Sequence, residues 1–116
     1  MEERLRSVSV FGEGQCQVKP IPGSEGGKAL LVGSDGTLRQ FDLRTLQQVW
    51  SSGEDLCTTL DIAKDGKLSC VANEDFWVYS VNVSDGKSIE KITRLTADVK
   101  QVRFNPSGTS VAICGE

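Results

Sequence analysis

Apolar and β-branched residues occur along the chain in groups of four to seven, separated by Gly, Asp, Ser or Pro. Groups of this length between turn residues are typical of β-strands. No segment carries the long apolar stripe of an amphipathic helix, so almost no helix is expected. The predicted strands are residues 5–11, 15–21, 28–32, 37–42, 46–51, 57–62, 67–71, 76–81, 88–95, 99–105 and 109–114.

Tight turns are predicted where glycine follows a turn-forming residue between these strands. Asp-Gly pairs end at Gly36, Gly66 and Gly86, and a Pro-Ser-Gly segment ends at Gly108. Glycine adopts positive φ without steric cost, and aspartate readily starts a tight turn. Short strands with evenly spaced turns predict an all-β sandwich, barrel or propeller.

An internal repeat distinguishes among these three architectures. Residues 63–74 and 105–116 align at a constant offset of 42, each reading as a turn, a glycine, an apolar strand, a small residue and an acid. Residues 28–35 fit the same frame, 39 positions before Lys67. A period of about 40 residues with four strands per unit indicates a propeller blade.

Three segments resemble parts of a WD repeat, in which a Gly-Ser-x-Asp-type turn leads into a strand that closes with Trp-Asp. Residues 33–43 follow this order and close with Phe-Asp, and residues 73–81 are similar and close with Tyr-Ser. Residues 102–108 resemble the family's inner-strand ending. The chain is therefore similar to the WD-repeat β-propeller family over nearly its whole length, and its repeats are divergent.

The repeats depart from the family before the inner strand. The chain has no histidine, and residues 53–54 and 96–97 stand where the family has Gly-His. The buried hydrogen-bonded tetrad that uses this histidine and the closing tryptophan therefore cannot form. Side-chain packing is expected to hold each blade together instead.

The resemblance implies an all-β fold of four-stranded antiparallel blades, about two and a half of them. Residues 5–11 would be the outer strand of a preceding blade, residues 15–51 one blade, residues 57–95 a second, and residues 99–116 the inner half of a third. Propellers usually close with about four to eight blades, so this chain would not close a ring alone. It would be a fragment, a short isoform, or a unit completed by other chains.

Charge and termini narrow the classes of partner. The net charge of −3 and the pI of about 5.0 argue against general affinity for nucleic acid or an anionic membrane surface. No run approaches the roughly 18 apolar residues of a membrane span. Residues 1–10 lack the apolar segment of a signal peptide. The chain is expected to be intracellular, either cytoplasmic or nuclear.

The four cysteines lie far apart and include no C-x-x-C pair. In a reducing compartment such residues are most simply free, small hydrophobic side chains. Two of them fall at nearly equivalent blade positions, which predicts a buried packing role for both. The cysteines are Cys16, Cys57, Cys70 and Cys114, and the equivalent pair is Cys70 and Cys114.

The sequence offers little for catalysis, cofactor binding or metal binding. Without histidine, the usual Ser-His and Cys-His nucleophile pairs are impossible, and the separated cysteines do not predict a metal site. Residues 23–28 lack the spacing of a phosphate-binding loop, and residues 12–14 precede no helix. Acidic pairs lie in predicted turns, where carboxylates are solvated. We therefore expect no enzyme activity and no cofactor.

In the resembled family, loops on one face of the propeller commonly bind peptides or protein domains. The corresponding loops here are residues 33–36, 52–56, 73–75 and 93–98, which form an acidic face predicted to prefer basic segments. Tryptophans at strand positions are more often packed between blades than exposed, and Trp77 is included because its repeat position could face outward beside a loop. The candidate partner-binding residues are Asp35, Glu54, Asp55, Glu74, Asp75, Trp77, Arg94 and Asp98.

Two alternatives to this interaction scaffold stay open. The chain could be a purely structural interior segment of a larger propeller, with partner contacts made elsewhere. It could also be part of a propeller enzyme or exchange factor whose active loop lies outside these residues. Scattered effects of loop substitutions, with strong effects from core substitutions, would favour the structural alternative.

Overall fold

The computed structural model describes residues 17–24, 27–33, 35–52 and 56–115, and its secondary structure there consists of β-strands without a helix. The strands alternate with short turns, as the sequence predicts. They are β1 (Gln17–Pro20), β2 (Lys28–Val32), β3 (Leu38–Asp42), β4 (Gln47–Ser52), β5 (Cys57–Ile62), β6 (Leu68–Asn73), β7 (Trp77–Asn82), β8 (Ser88–Arg94), β9 (Val99–Phe104) and β10 (Val111–Gly115).

The strands form three open antiparallel sheets, and neighbours in each sheet are neighbours in sequence. The first sheet has the order β1-β2-β3-β4, the second β5-β6-β7-β8, and the third pairs β9 with β10. The predicted all-β class, with four-stranded antiparallel sheets and an open end, is confirmed. The strand predicted for residues 5–11 lies outside the described residues.

β10 begins at Val111, whereas the sequence predicts a start at Thr109. β10 starts at Val111 because the side-chain oxygen of Asn105 accepts hydrogen bonds from the backbone N–H groups of Thr109 (2.9 Å) and Ser110 (3.0 Å). These bonds compete with strand pairing and extend the turn.

The sheets pack face to face, with their first strands β1, β5 and β9 side by side. Because side chains alternate between the two faces of a strand, β6 serves both interfaces. Its Val71 belongs to the core between the first and second sheets, whereas Cys70 and Ala72 belong to the core between the second and third. Leu30 and Val102 are buried on the facing sheets. The second sheet is therefore covered on both sides.

Polar side chains of the first strands connect adjacent sheets. Gln17 Oε1 accepts hydrogen bonds from Thr59 Oγ1 at 2.8 Å and from the Leu60 N–H at 3.4 Å. One sheet further on, Asp61 Oδ2 accepts a hydrogen bond from the Phe104 N–H at 2.8 Å. A side-chain oxygen of β1 or β5 thus binds the backbone of the next sheet in both places.

A second polar connection joins the outer strands of the first and second sheets. The carbonyl oxygen of Val83 accepts hydrogen bonds from Gln40 Nε2 at 2.6 Å and from Trp50 Nε1 at 3.0 Å. The Trp50 ring lies against Gly86, where an added Cβ would approach Cε3 to 2.6 Å. These contacts fix the first sheet to the β7–β8 turn of the second.

The prediction of a buried packing role is wrong for one of the two equivalent cysteines. Cys70 is completely buried, whereas Cys114 is exposed. Cys114 points from β10 to the face that lies away from the second sheet, and no further sheet covers that face in the described part of the chain. Equivalent positions in a repeat therefore differ in burial because only one of them has a neighbouring sheet.

This difference predicts selective alkylation. Burial, with a smaller contribution from Asp61, raises the pKa of the Cys70 thiol to about 12, so its reactive thiolate is scarce at about pH 8. Iodoacetamide should therefore modify Cys114 in the native chain and leave Cys70 intact, as measured by mass spectrometry of peptides. In urea both should react. Modification of native Cys70 as fast as Cys114 would contradict the buried position.

Candidate functional site

The turns between the second and third strands of each four-stranded sheet meet the linkers that follow those sheets. Cys57 N–H donates to the Gly36 carbonyl at 2.8 Å, and Leu95 N–H donates to the Phe76 carbonyl at 2.9 Å. The same hydrogen bond thus recurs in both sheets. We call this end the loop face, which comprises Gly33, residues 35–37, Leu56, residues 73–76 and residues 95–98.

An open depression of about 480 Å³ lies on the loop face, beside the first strands of the three sheets. It brings together Glu74 and Asp98, two candidate residues that come from different sheets. Both are exposed, and Asp98 Oδ2 lies 3.9 Å from Lys100 Nζ in a solvent-screened pair. The residues that line this loop-face depression are Gln17, Thr58, Asn73, Glu74, Phe76, Asp98, Val99 and Lys100.

Phe76 lines the depression in an unusual backbone conformation that the sequence analysis missed. Its φ is +71°, in the left-handed region, where the corresponding turn of the first sheet has Gly36 at +78°. The cost to a non-glycine residue is about 1–2 kcal/mol. Asn73 Oδ1 offsets this cost by accepting hydrogen bonds from the N–H groups of Asp75 (3.0 Å) and Trp77 (3.1 Å). The available signal was the similarity of the turns 33–36 and 73–76, whose fourth residues are Gly36 and Phe76.

Trp77 is half-buried between the first two sheets, which agrees with the packing expected of a tryptophan on a strand and not with an exposed recognition residue. Strand alternation places it on the same face of β7 as Tyr79, and it packs against the core between the first two sheets. The Lys91 ammonium lies 4.4 Å from the centroid of its ring, and the Arg94 guanidinium carbon lies 5.4 Å away. Its face is therefore already occupied by cations of the same chain.

Arg94 and Asp75 lie next to one another at the edge of the loop face. Arg94 Nε donates a hydrogen bond to the backbone carbonyl of Asp75 at 3.0 Å, which leaves the Asp75 carboxylate exposed. Asp75, Trp77 and Lys91 line a second cavity of about 410 Å³ that does not include the loop-face depression. Glu74 therefore lines the loop-face depression, Asp75 and Trp77 line the second cavity, and Arg94 lines neither.

Asp35 stands apart from both cavities and is paired within its own turn. Its carboxylate accepts a hydrogen bond from the Thr37 N–H at 3.0 Å and forms an ion pair with Arg39 at 3.0 Å. Partial desolvation opposes ionisation, but these two partners together hold the pKa of Asp35 below its usual value. The remaining candidates, Glu54 and Asp55, lie outside the described residues.

The described residues contain neither a candidate metal site nor a candidate membrane span. No group of three or more histidine, cysteine, aspartate or glutamate side chains there is placed to hold a metal ion. The same part of the chain has no helix of the length and apolar character needed to span a membrane.

Comparison with known proteins identifies the fold. No protein-family model matches the chain, and no curated protein matches it. Among solved structures, it is similar to the β-propeller domain of Cps50 (Swd1) from Myceliophteria thermophila, with a TM-score of 0.73 and 20% sequence identity. The match covers 91% of this chain and 34% of that chain. The predicted β-propeller fold is therefore confirmed, and the chain spans about a third of the matched structure.

Proposed function

We propose that this chain is a protein-interaction scaffold built from divergent WD-type propeller blades, whose loop face binds a partner protein or peptide within a multiprotein complex. The observation that carries this proposal is the loop-face depression, which joins Glu74, Asp98 and Phe76 from the second sheet and its linker. Partner-binding residues commonly lie on loops that a rigid scaffold positions. The two sheet interfaces beneath the depression supply that scaffold.

The chemistry of the depression favours a basic segment as the partner. Glu74 and Asp98 present exposed carboxylates, and the half-buried ring of Phe76 lies beside them. An arginine or lysine side chain can pair with a carboxylate and also stack on an aromatic ring. Lys100 partly offsets the negative charge, so we propose that Glu74 makes the stronger contact.

Charge reversal tests this proposal. The double variant Glu74→Lys with Asp98→Lys is expected to weaken binding of a fluorescein-labelled arginine-containing peptide by about tenfold or more, and to flatten its salt dependence. Fluorescence anisotropy measures both quantities. Glu90→Lys is the control, because Glu90 is an exposed acid on β8 that does not line the depression. Unchanged affinity in the double variant would favour the purely structural alternative.

The variant Phe76→Gly is expected to lower peptide affinity while leaving the stability of the fold nearly unchanged. Glycine tolerates the positive φ of +71°, so relief of strain offsets lost packing, and the unfolding free energy should change by less than about 1 kcal/mol. Loss of the ring should lower the affinity for the arginine-containing peptide by about fivefold. Phe76→Ala keeps the strain, and should match the glycine variant in affinity but be less stable. Wild-type affinity in both variants would remove Phe76 from the site.

Further features of the proposal follow from the sequence and the open sheets. We propose that additional blades, from a longer chain or from other copies, complete the ring, since Ala112 and Cys114 expose the outer face of the third sheet. Solution mass by light scattering, compared with 12.6 kDa, tests association of the chain by itself.

The absence of histidine and the net charge of −3 support a non-enzymatic role without direct nucleic acid binding. We propose an intracellular location, which the free thiol of the buried Cys70 supports.

A further inference from the structure

We propose that a groove at the end opposite the loop face docks an acidic and apolar segment of a partner protein. This groove, which we call the basal groove, lies between the first and second sheets and has a volume of about 630 Å³. Such a volume is within the range of about 300–1,000 Å³ typical of binding pockets. Its lining residues include Ile21, Gly66 and Ser84, which belong to turns opposite the loop face.

The walls of the basal groove expose two branched apolar side chains. Val49 on β4 is 47% exposed and Ile89 on β8 is 58% exposed, and both line the groove. They come from the fourth strands of adjacent sheets, so the groove lies between the two outer edges. Exposed apolar surface next to polar residues is typical of an interaction site. An apolar side chain of the partner would bury surface on both.

Charge complementarity identifies the rest of the partner's chemistry. Lys28 and Lys67 are exposed groove residues, and the described residues of the lining include no aspartate or glutamate. Neither lysine forms an ion pair with a carboxylate in the described parts of the chain. Asp65 accepts a backbone N–H group in its own turn, and so does Asp42, which lies opposite Lys28 in the β2–β3 register and partly offsets its charge. The groove is thus positive in a chain whose net charge is −3.

The floor of the groove is held in place before any partner binds. Gln40 and Val83 line it, and they are joined by the 2.6 Å hydrogen bond from Gln40 Nε2 to the Val83 carbonyl. Trp50 Nε1 donates a second hydrogen bond to the same carbonyl, at 3.0 Å. A groove whose floor is already fixed loses little conformational freedom on binding, which favours affinity for a short extended segment.

The test uses the full chain and a fluorescein-labelled peptide probe with the sequence Glu-Glu-Leu-Phe-Asp-Leu-Glu. The double variant Lys28→Glu with Lys67→Glu is expected to weaken binding of this probe by at least about tenfold. Ile89→Ser should weaken it by about fivefold through lost apolar contact. Because all three side chains are exposed, thermal melts should show that the variants fold like wild type.

Controls separate the groove from general charge effects. Lys64→Glu makes the same charge change at an exposed lysine outside the groove, and probe affinity should stay within about twofold of wild type. A probe with lysine in place of every acid should not bind in the groove. Equal effects of Lys64→Glu and the groove substitutions, no effect of Ile89→Ser, equal competition by polyglutamate, or no binding by wild type would each overturn the proposal.

Discussion

Replacing Gly66 with alanine is expected to lower the free energy of unfolding by about 3 kcal/mol, from backbone strain and a steric clash combined. Gly66 has φ +74°, and a Cβ built there would overlap with the carbonyl oxygen of Pro22 and lie 3.3 Å from Ile21 Cγ2. Because the clashing atom is a backbone carbonyl oxygen in the β1–β2 turn and not the end of a flexible side chain, it cannot rotate away unless the turn itself shifts. The first and second sheets must separate to accept the methyl group.

Gly108→Ala is the matched control for this prediction. Gly108 occupies the corresponding turn of the third sheet, has φ +75°, and would place a Cβ 3.7 Å from the Ala63 methyl group, an ordinary contact. Its substitution by alanine should lower the free energy of unfolding by about 1 kcal/mol, from backbone strain alone. Urea denaturation followed by tryptophan fluorescence measures both variants. Equal losses for Gly66→Ala and Gly108→Ala would mean that the turns of the first and second sheets are not in contact.

Trp50→Ala is expected to destabilise the chain by about 3 kcal/mol, the low end for a large aromatic because Trp50 is only half-buried. The substitution removes the ring that packs on Gly86 and the hydrogen bond to the Val83 carbonyl. Trp50→Phe keeps most of the apolar surface and removes only the indole N–H. It should therefore lower the free energy of unfolding by about 1 kcal/mol. The unfolding free energy in urea, followed by circular dichroism, measures both variants.

A double-mutant cycle tests why this connection is stable. The Val83 carbonyl keeps one donor when either Trp50→Phe or Gln40→Leu is made alone, but loses both donors in the double variant. Val83 is buried, so its carbonyl is left unpaired only in the double variant. The loss of unfolding free energy in that variant should exceed the sum of the two single losses by about 1 kcal/mol or more. Additive effects would show that the two donors act independently of this carbonyl.

These predictions concern the contacts on which both proposed surfaces depend. The loop-face depression is built from residues of all three sheets, and the basal groove lies between the first and second. Separation of the sheets should therefore weaken both binding activities together, whereas the charge variants at Glu74 and Lys28 should each affect one. Comparing both probes on Gly66→Ala and on the charge variants would distinguish loss of scaffold from loss of contact.

The strands, the turns and the repeat could be predicted from local patterns in the sequence. β2 and β5 begin and end at the predicted residues, Lys28–Val32 and Cys57–Ile62, because strand periodicity and turn chemistry are local properties. The turn glycines Gly36, Gly66, Gly86 and Gly108 all have positive φ. The offset of 42 between repeats likewise required no knowledge of packing, since each repeat folds into the same local pattern.

The exposure of individual side chains, and the contacts among them, could not be predicted without the packing of the sheets. Cys70 is buried and Cys114 exposed, although their repeat positions are nearly equivalent, because a neighbouring sheet covers only the first. Trp77 is half-buried because its strand face lies against another sheet. Glu74 and Asp98 line one depression, whereas Asp35 pairs with its own turn. Burial and convergence depend on how sheets pack, and that packing joins residues far apart in the chain.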